Sequence, residues 1–177
     1  MSHSSVALSA TSTETVHRSC DFTVTICTYN GAQRVPAVLN LLKQQLDAQQ
    51  LRWEVFVIDN NSSDATAAVV RQYQQSWPSE TPLRYFFEGR QGAAYARQLA
   101  MEKAKSELVG FLDDDNLPAD DWVAAACEFG QDHPQVGAYG SQIHGQFEGA
   151  LPEDFHRIQS FFALTQRGDK AHVYQPR

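Results

Sequence analysis

From residue 22 onward, short apolar runs alternate with segments whose apolar positions recur every three or four residues. Residues 22–27 (FTVTIC) are β-branched and apolar, and Val35, Val38, Leu39, Leu42 and Leu46 then follow at helical spacing. The pair predicts a strand followed by a helix. Residues 53–58 (WEVFVI) form a near-continuous apolar run of the kind buried on both faces of a parallel sheet. Ser62 or Ser63 then offers a cap for a helix over 65–75. Trp77-Pro78-Ser79 and Thr81-Pro82 punctuate the chain. Beyond them residues 83–87 predict a third strand, 93–104 a third helix, and 108–112 (LVGFL) a fourth strand ending at Asp113-Asp114-Asp115-Asn116. Pro118 stops further pairing, and Asp120 or Asp121 opens a helix to about Phe129. A fifth strand is expected at 136–141 and an amphipathic helix at 155–164.

Strands that alternate with helices predict an α/β fold: a doubly wound, mainly parallel sheet flanked by helices. Ligands in such sheets bind at the carboxyl ends of the strands, beside a topological switch point. Three polar clusters fall at such ends: Thr28-Tyr29-Asn30-Gly31, Asp59-Asn60-Asn61-Ser62 and Asp113-Asp114-Asp115-Asn116. Residues 1–20 are rich in Ser and Thr with little to bury, so a disordered tail is expected there. The α/β domain is expected over 21–145, and 146–177 reads as the start of a further segment.

Composition narrows the possible functions. The 177 residues suit one domain, with 42% hydrophobic, 11% aromatic and 20% charged positions. Fourteen basic against 21 acidic residues give a net charge of −7, so no nucleic-acid partner is expected from bulk charge. An anionic ligand needs local cations. Cys20, Cys27 and Cys127 form no C-x-x-C pair and are read as reduced and structural. No apolar run approaches about 20 residues and the N-terminus has no apolar core, so neither a transmembrane segment nor a secretory signal is expected. The expected address is cytoplasmic, including the inner face of a membrane.

The acidic triplet carries the most chemistry. Three adjacent carboxylates repel one another and call for a cation. In an extended segment Asp113 and Asp115 share one side while Asp114 turns to the other. Oxygen ligands favour Mg²⁺ or Mn²⁺, and Mg²⁺ is commonly held by one or two carboxylates plus substrate phosphates. The same residues can instead form a solvated, helix-capping loop. Asp59 can accept from a base imide or a ribose hydroxyl, or close an Asx-turn. The Tyr29 ring can stack on a base or simply pack. Arg90 and Arg97, with Gly89 and Gly92 at the start of the third helix, can hold phosphate, although this run has neither Walker A nor G-x-G-x-x-G spacing. No histidine stands in a zinc or nucleophile pattern.

The runs TVTICTYNGA (23–32), WEVFVIDNNSSDAT (53–66), GRQGAAYARQLAM (89–101) and ELVGFLDDDNLPADDWV (107–123) resemble, in this order, the nucleotide-sugar-binding half of family 2 glycosyltransferases of the GT-A fold. The resemblance implies an inverting transferase of glycan or polysaccharide synthesis. It implies a nucleotide-diphosphate sugar donor, often UDP-linked, a glycan or lipid-linked acceptor, and Mn²⁺ or Mg²⁺ on the diphosphate. Asp113 and Asp115 match the D-x-D element, with Asp115 the direct metal ligand and Asp114 toward the ribose. Thr28 and Tyr29 match the base pocket, Asp59 and Asn60 its acidic pair, and Arg97 a position near the donor; Asn30 and Arg90 are expected to join them as donor-binding residues. Asn60-Asn61 replaces the commoner Asp-Gly, which bears on base preference.

The family's general base is a carboxylate, often in a Glu-Asp pair after the D-x-D. The only such pair, Glu153-Asp154, comes early, so Asp154 is the weak candidate and the base is expected beyond Arg177, in which case the chain binds donor but transfers poorly. A non-catalytic nucleotide-sugar-binding module is the alternative. A nucleotidyltransferase lacks its glycine- and lysine-bearing loop here, and a receiver domain lacks its late strand-end lysine.

Overall fold

The computed structural model describes residues 21–147, 149–162 and 164, so the expected tail at 1–20 lies outside the described residues. The elements run β1 (Phe22–Thr28), α1 (Val35–Leu42), β2 (Trp53–Asp59), α2 (Thr66–Gln75), β3 (Leu83–Phe87), α3 (Ala93–Lys103), β4 (Leu108–Asp113) and α4 (Trp122–Asp132). All strand pairs are parallel, in the order β3-β2-β1-β4. The chain builds outward from β1 to β3 and then returns to the other side of β1, which puts the switch point between β1 and β4. Register aligns Thr28 with Asp59 and Cys27 with Asp113, so the three polar clusters emerge at one end of the sheet.

The apolar runs explain the layering. Phe22, Val24 and Ile26 of β1, with Val55, Val57 and Leu112, form one core with Val35, Val38, Leu39 and Leu42 of α1, Val70 of α2, and Val123 and Cys127 of α4. The opposite face is thinner. There Phe56 and Ile58 pack against Ala96 and Ala100, whose small side chains let α3 lie close to β1 and β2. Phe56 meets Phe86 edge-on at 4.9 Å between centroids. Gly110 of β4 also owes its identity to close approach. A Cβ there would sit 2.6 Å from the Phe22 ring and 2.9 Å from that of Trp122, two rings already in tilted contact.

Several expected details change. α1 ends at Leu42, and Leu46 is exposed, because the following residues are drawn to the start of α4. The Gln45 amide donates to the Ala119 carbonyl at 2.7 Å and accepts from the Val123 N–H at 2.8 Å. Gln45 thus caps α4, where an aspartate was expected; Asp121 holds the cap position with no side-chain bond. At α2 the cap position falls on Ala65, which has no side-chain cap bond, rather than on Ser62 or Ser63; Asp64 just before it accepts from the Thr66 N–H and hydroxyl.

The chain divides into two compact units, Met1–His133 and Pro134–Arg177. In the second, no strand forms at 136–141, where Gly137 and Gly140 break the β pattern. The helix expected at 155–164 is instead a pair of 3-10 turns, Phe155–Arg157 and Gln159–Phe162, with Phe155 packed edge-on against Phe147. No helix among the described residues is long and apolar enough to cross a membrane.

Candidate active site

The loops after β1 and β2 are stitched together by polar side chains. The Asn30 N–H donates to Ser62 Oγ, and Asn30 Oδ1 accepts from the Ser63 N–H, each at 2.9 Å. The Gly31 N–H donates to Thr66 Oγ1, and the Ala32 N–H to Asp64 Oδ2. The two serines expected as caps are therefore ties between loops. Asn30 and Asn61 take left-handed φ of 49° and 65°, which asparagine tolerates better than most residues. Asp59 is 2% exposed and forms the Asx-type closure, accepting from the Ser62 N–H at 2.8 Å while its other oxygen accepts from the Tyr85 hydroxyl at 2.6 Å. The Tyr29 ring is 47% exposed at the mouth of this frame.

In the acidic triplet Asp113 and Asp115 are exposed and Asp114 is buried. The Asn116 N–H donates to the Asp113 carbonyl at 3.0 Å, so the triplet closes a turn directly after β4. Asp114 is gripped from three directions. Arg34 Nε donates to Oδ1 and Nη2 to Oδ2, both at 2.8 Å, and the Thr28 hydroxyl donates to Oδ2 at 2.5 Å. Asp113 accepts a single bond from Arg97 at 3.2 Å, with both side chains at least half exposed. An exposed pair of this kind is worth at most about 1 kcal/mol. No hydrogen bond or salt bridge engages the Asp115 carboxylate among the described residues. The carboxylates open to a ligand are therefore Asp115 and, at small cost, Asp113.

These groups fit a divalent cation of the Mg²⁺ or Mn²⁺ type. No three His, Cys, Asp or Glu side chains converge to cage a metal among the described residues. Two hard carboxylate ligands that leave the remaining positions to phosphate and water match what such ions accept. Cys27 lies beside Asp113, but burial pushes its thiol up to about 11, so it stays protonated and is a poor ligand or nucleophile at neutral pH.

The loop between β3 and α3 differs from the sequence-based expectation. Arg90 does not present a free fork: Nε and Nη2 donate to the two oxygens of Glu88 at 2.9 and 2.8 Å, and the guanidinium lies 4.6 Å over the Tyr95 ring. Asn60 is 4% exposed and is turned inward as a strut. Its amide donates to the Arg90 carbonyl at 2.7 Å, and its oxygen accepts from the Gly92 N–H at 2.7 Å. An amide does both; the aspartate common at this position could not donate. Arg90's side-chain and backbone N–H bonds hold the Glu88 carboxyl down at about 2, from an ordinary 4.5. A carboxyl lowered on folding adds stability above its unfolded value, and that stability is lost as pH falls through the folded one. The clamp is expected to remain closed at about pH 4 and to open near pH 2. The Glu88 carboxyl-carbon chemical shift reads this directly, and a midpoint near 4.5 would remove the clamp.

Thr28, Tyr29, Asn30, Asp59, Asn60, Arg97 and the triplet thus come together at one end of the sheet, with Arg90 on the adjoining loop. Asp154 is exposed in the second unit and pairs with Arg157 at 3.5 Å. Sequence reading missed Arg34 and Glu88. Arg34 did leave a signal, since an arginine at a helix N-terminus opposes the helix dipole and calls for a local carboxylate.

The parallel 3-2-1-4 sheet with flanking helices is a GT-A glycosyltransferase fold. The chain belongs to glycosyl transferase family 2, whose profile matches residues 23–174. Glycosyltransferase AglE of Haloferax volcanii is 31% identical over 101 residues, which is 56% of this chain and 32% of that protein. The putative teichuronic acid biosynthesis glycosyltransferase TuaG of Bacillus subtilis is 33% identical over 84 residues, 48% of this chain and 32% of that protein. The matches thus span about a third of these relatives' length. Among solved structures, Staphylococcus aureus TarS 1–349 in complex with UDP-GlcNAc superposes with a TM-score of 0.60 at 25% identity, over 76% of this chain and 37% of that one. Mannosyltransferase PcManGT from Pyrobaculum calidifontis, in complex with GDP-Man and Mn²⁺, gives 0.52 at 30% identity, over 59% and 32%.

Proposed function

We propose that this chain forms the donor side of an inverting glycosyltransferase that takes a nucleotide-diphosphate sugar with Mn²⁺ or Mg²⁺ and serves glycan or polysaccharide synthesis. The observation that carries the reading is the acidic turn: a buried, triply held Asp114 between two accessible carboxylates, at the switch point of the sheet. Asp115 and Asp113 would hold the metal, which when bound would supply positive charge to offset the negative charge developing on the leaving diphosphate. Tyr29 offers a face to the base. Thr28, Asn30, Asp59, Asn60 and Asp114 shape the pocket and face the nucleoside only through the backbone and edges they fix, and Arg90 stiffens its rim. Arg97, held only by its exposed 3.2 Å bond to Asp113, would be placed to meet phosphate. The TarS complexes with UDP and UDP-GlcNAc favour a uridine donor.

The transfer step needs a base to take the proton of an acceptor hydroxyl as it attacks the anomeric carbon. No residue of the strand-end site fills that role, and a glycan or lipid-linked acceptor, met at the cytoplasmic face of a membrane, is the class the reading assigns. Calorimetric titration with UDP, in Mn²⁺ and in EDTA, is expected to show metal-dependent binding. Equal binding under both conditions would exclude the metal site, and no binding under either would overturn the donor reading. Turnover on a panel of sugar nucleotides separates a transferase from a binding module.

A further inference from the structure

Arg34 is the residue of this site that neither the motif pattern nor the family resemblance assigns. Its Nη2 donates to two loops at once, to the Tyr29 carbonyl at 3.1 Å and to Asp114 Oδ2 at 2.8 Å, while Nε holds Oδ1. One guanidinium therefore joins the backbone beneath the exposed Tyr29 ring to the carboxylate between Asp113 and Asp115. Asp114 is 8% exposed, and the turn closed by the Asn116 N–H passes its position directly to its neighbours. Gly31 leaves the room this needs, because a Cβ there would lie 2.7 Å from Asp114 Oδ2.

We infer that Arg34 is a positioning residue that couples nucleoside binding to metal binding, an inference that rests on the donor-site reading above. A base stacked on Tyr29 steadies the β1–α1 loop. Through Nη2 that loop fixes Asp114, and Asp114 fixes the angle at which Asp113 and Asp115 face the metal. The reverse path is the same by linkage: a metal held by the outer carboxylates steadies Asp114 and, through Arg34, the backbone under the base. A lysine cannot replace this arrangement. It keeps the charge but has no planar fork to span both carboxylate oxygens and a carbonyl.

Charge and geometry make opposite predictions, so they can be separated. Removing a cation from beside Asp115 favours metal binding through the lost repulsion, whereas losing the fork weakens the cooperation between metal and nucleotide. The quantity to measure is the ratio of UDP dissociation constants without and with saturating Mn²⁺, on the full chain by calorimetry, with bound Mn²⁺ followed by electron paramagnetic resonance. In Arg34→Lys and Arg34→Gln this ratio is expected to fall by about tenfold, over and above any change in the metal-free UDP constant itself. Lys carries the test if Gln fails to fold, and a thermal melt on the same samples reports folding. A wild-type ratio in both folded variants overturns the inference and leaves the donor site standing. Wild-type protein that binds no UDP overturns both.

Discussion

Asp115→Ala is expected to raise the dissociation constant for UDP in Mn²⁺ by about 100-fold or more, equivalent to about 2.7 kcal/mol. The unfolding midpoint should barely change. The reason lies in how differently the three aspartates are held. Asp115 is exposed and engaged by no hydrogen bond or salt bridge among the described residues, so removing it costs the fold at most about 0.5 kcal/mol. Asp114→Asn makes the contrast. It leaves Arg34 and Thr28 facing a neutral amide whose NH₂ must point at one of the three donors. With Arg34 about half exposed, the stability loss is expected at about 1–2 kcal/mol, well below the 3–5 seen for fully buried pairs. Calorimetry and urea melts on the two variants therefore give opposite signatures: binding lost with the fold intact, against both weakened. Metal-dependent UDP binding in Asp115→Ala equal to that of wild type would exclude Asp115 as the metal ligand.

Gly31→Ala is expected to cost about 2–3 kcal/mol of stability, at the upper end for an overpacked site. It should also weaken UDP binding at least about tenfold with or without metal, the loss of a preorganised pocket. The added methyl would overlap the Thr28 hydroxyl, sit 2.7 Å from Asp114 Oδ2 and press on Val35 at 3.1 Å. Neither polar neighbour can yield freely. Thr28 is 3% exposed, and turning its hydroxyl away breaks the bond to Asp114; moving Asp114 strains the Arg34 fork. The backbone is also constrained, because the Gly31 N–H is bonded to Thr66 and its carbonyl accepts from the Arg34 and Val35 N–H groups. A residual, metal-independent fraction of UDP binding surviving in Asp115→Ala but not in Gly31→Ala would separate the two roles. An alanine variant with the wild-type urea midpoint would show that the loop has room the structure does not display.

Much of this site was legible one residue at a time. That Asp113 and Asp115 stand apart from Asp114 was legible in the acidic triplet, but Asp114 was expected to face the ribose, and its burial is set by the turn after β4 and by Arg34 and Thr28. The strand of WEVFVI followed from an apolar run that is buried along its whole length, whereas LVGFL forms the expected strand at the edge of the sheet, where Leu112 is buried and Phe111 stays exposed. Side-chain partners were not legible, because they are distant in sequence: Asp114 meets Thr28 across 86 residues and Arg34 across 80. Arg90 shows the opposite failure. Its partner, Glu88, is only two residues away, but β3 turns that carboxylate inward, so the arginine closes on its own loop before any phosphate arrives. Asn60 was expected at the pocket surface and serves as a strut for the same loop, a role set by which carbonyls lie opposite it.

The sequence by itself determined the order of strands and helices, the parallel sheet, the family and the end of the sheet where chemistry gathers. Apolar periodicity and strand-end polarity are local properties, and burial makes them decisive. Only the tertiary structure decided which carboxylates stay open and which are spent on the frame. That choice depends on Arg34, Thr28, Glu88 and Gly31 meeting across the switch point, where a donor a few ångströms away settles whether an aspartate binds a ligand or holds a loop.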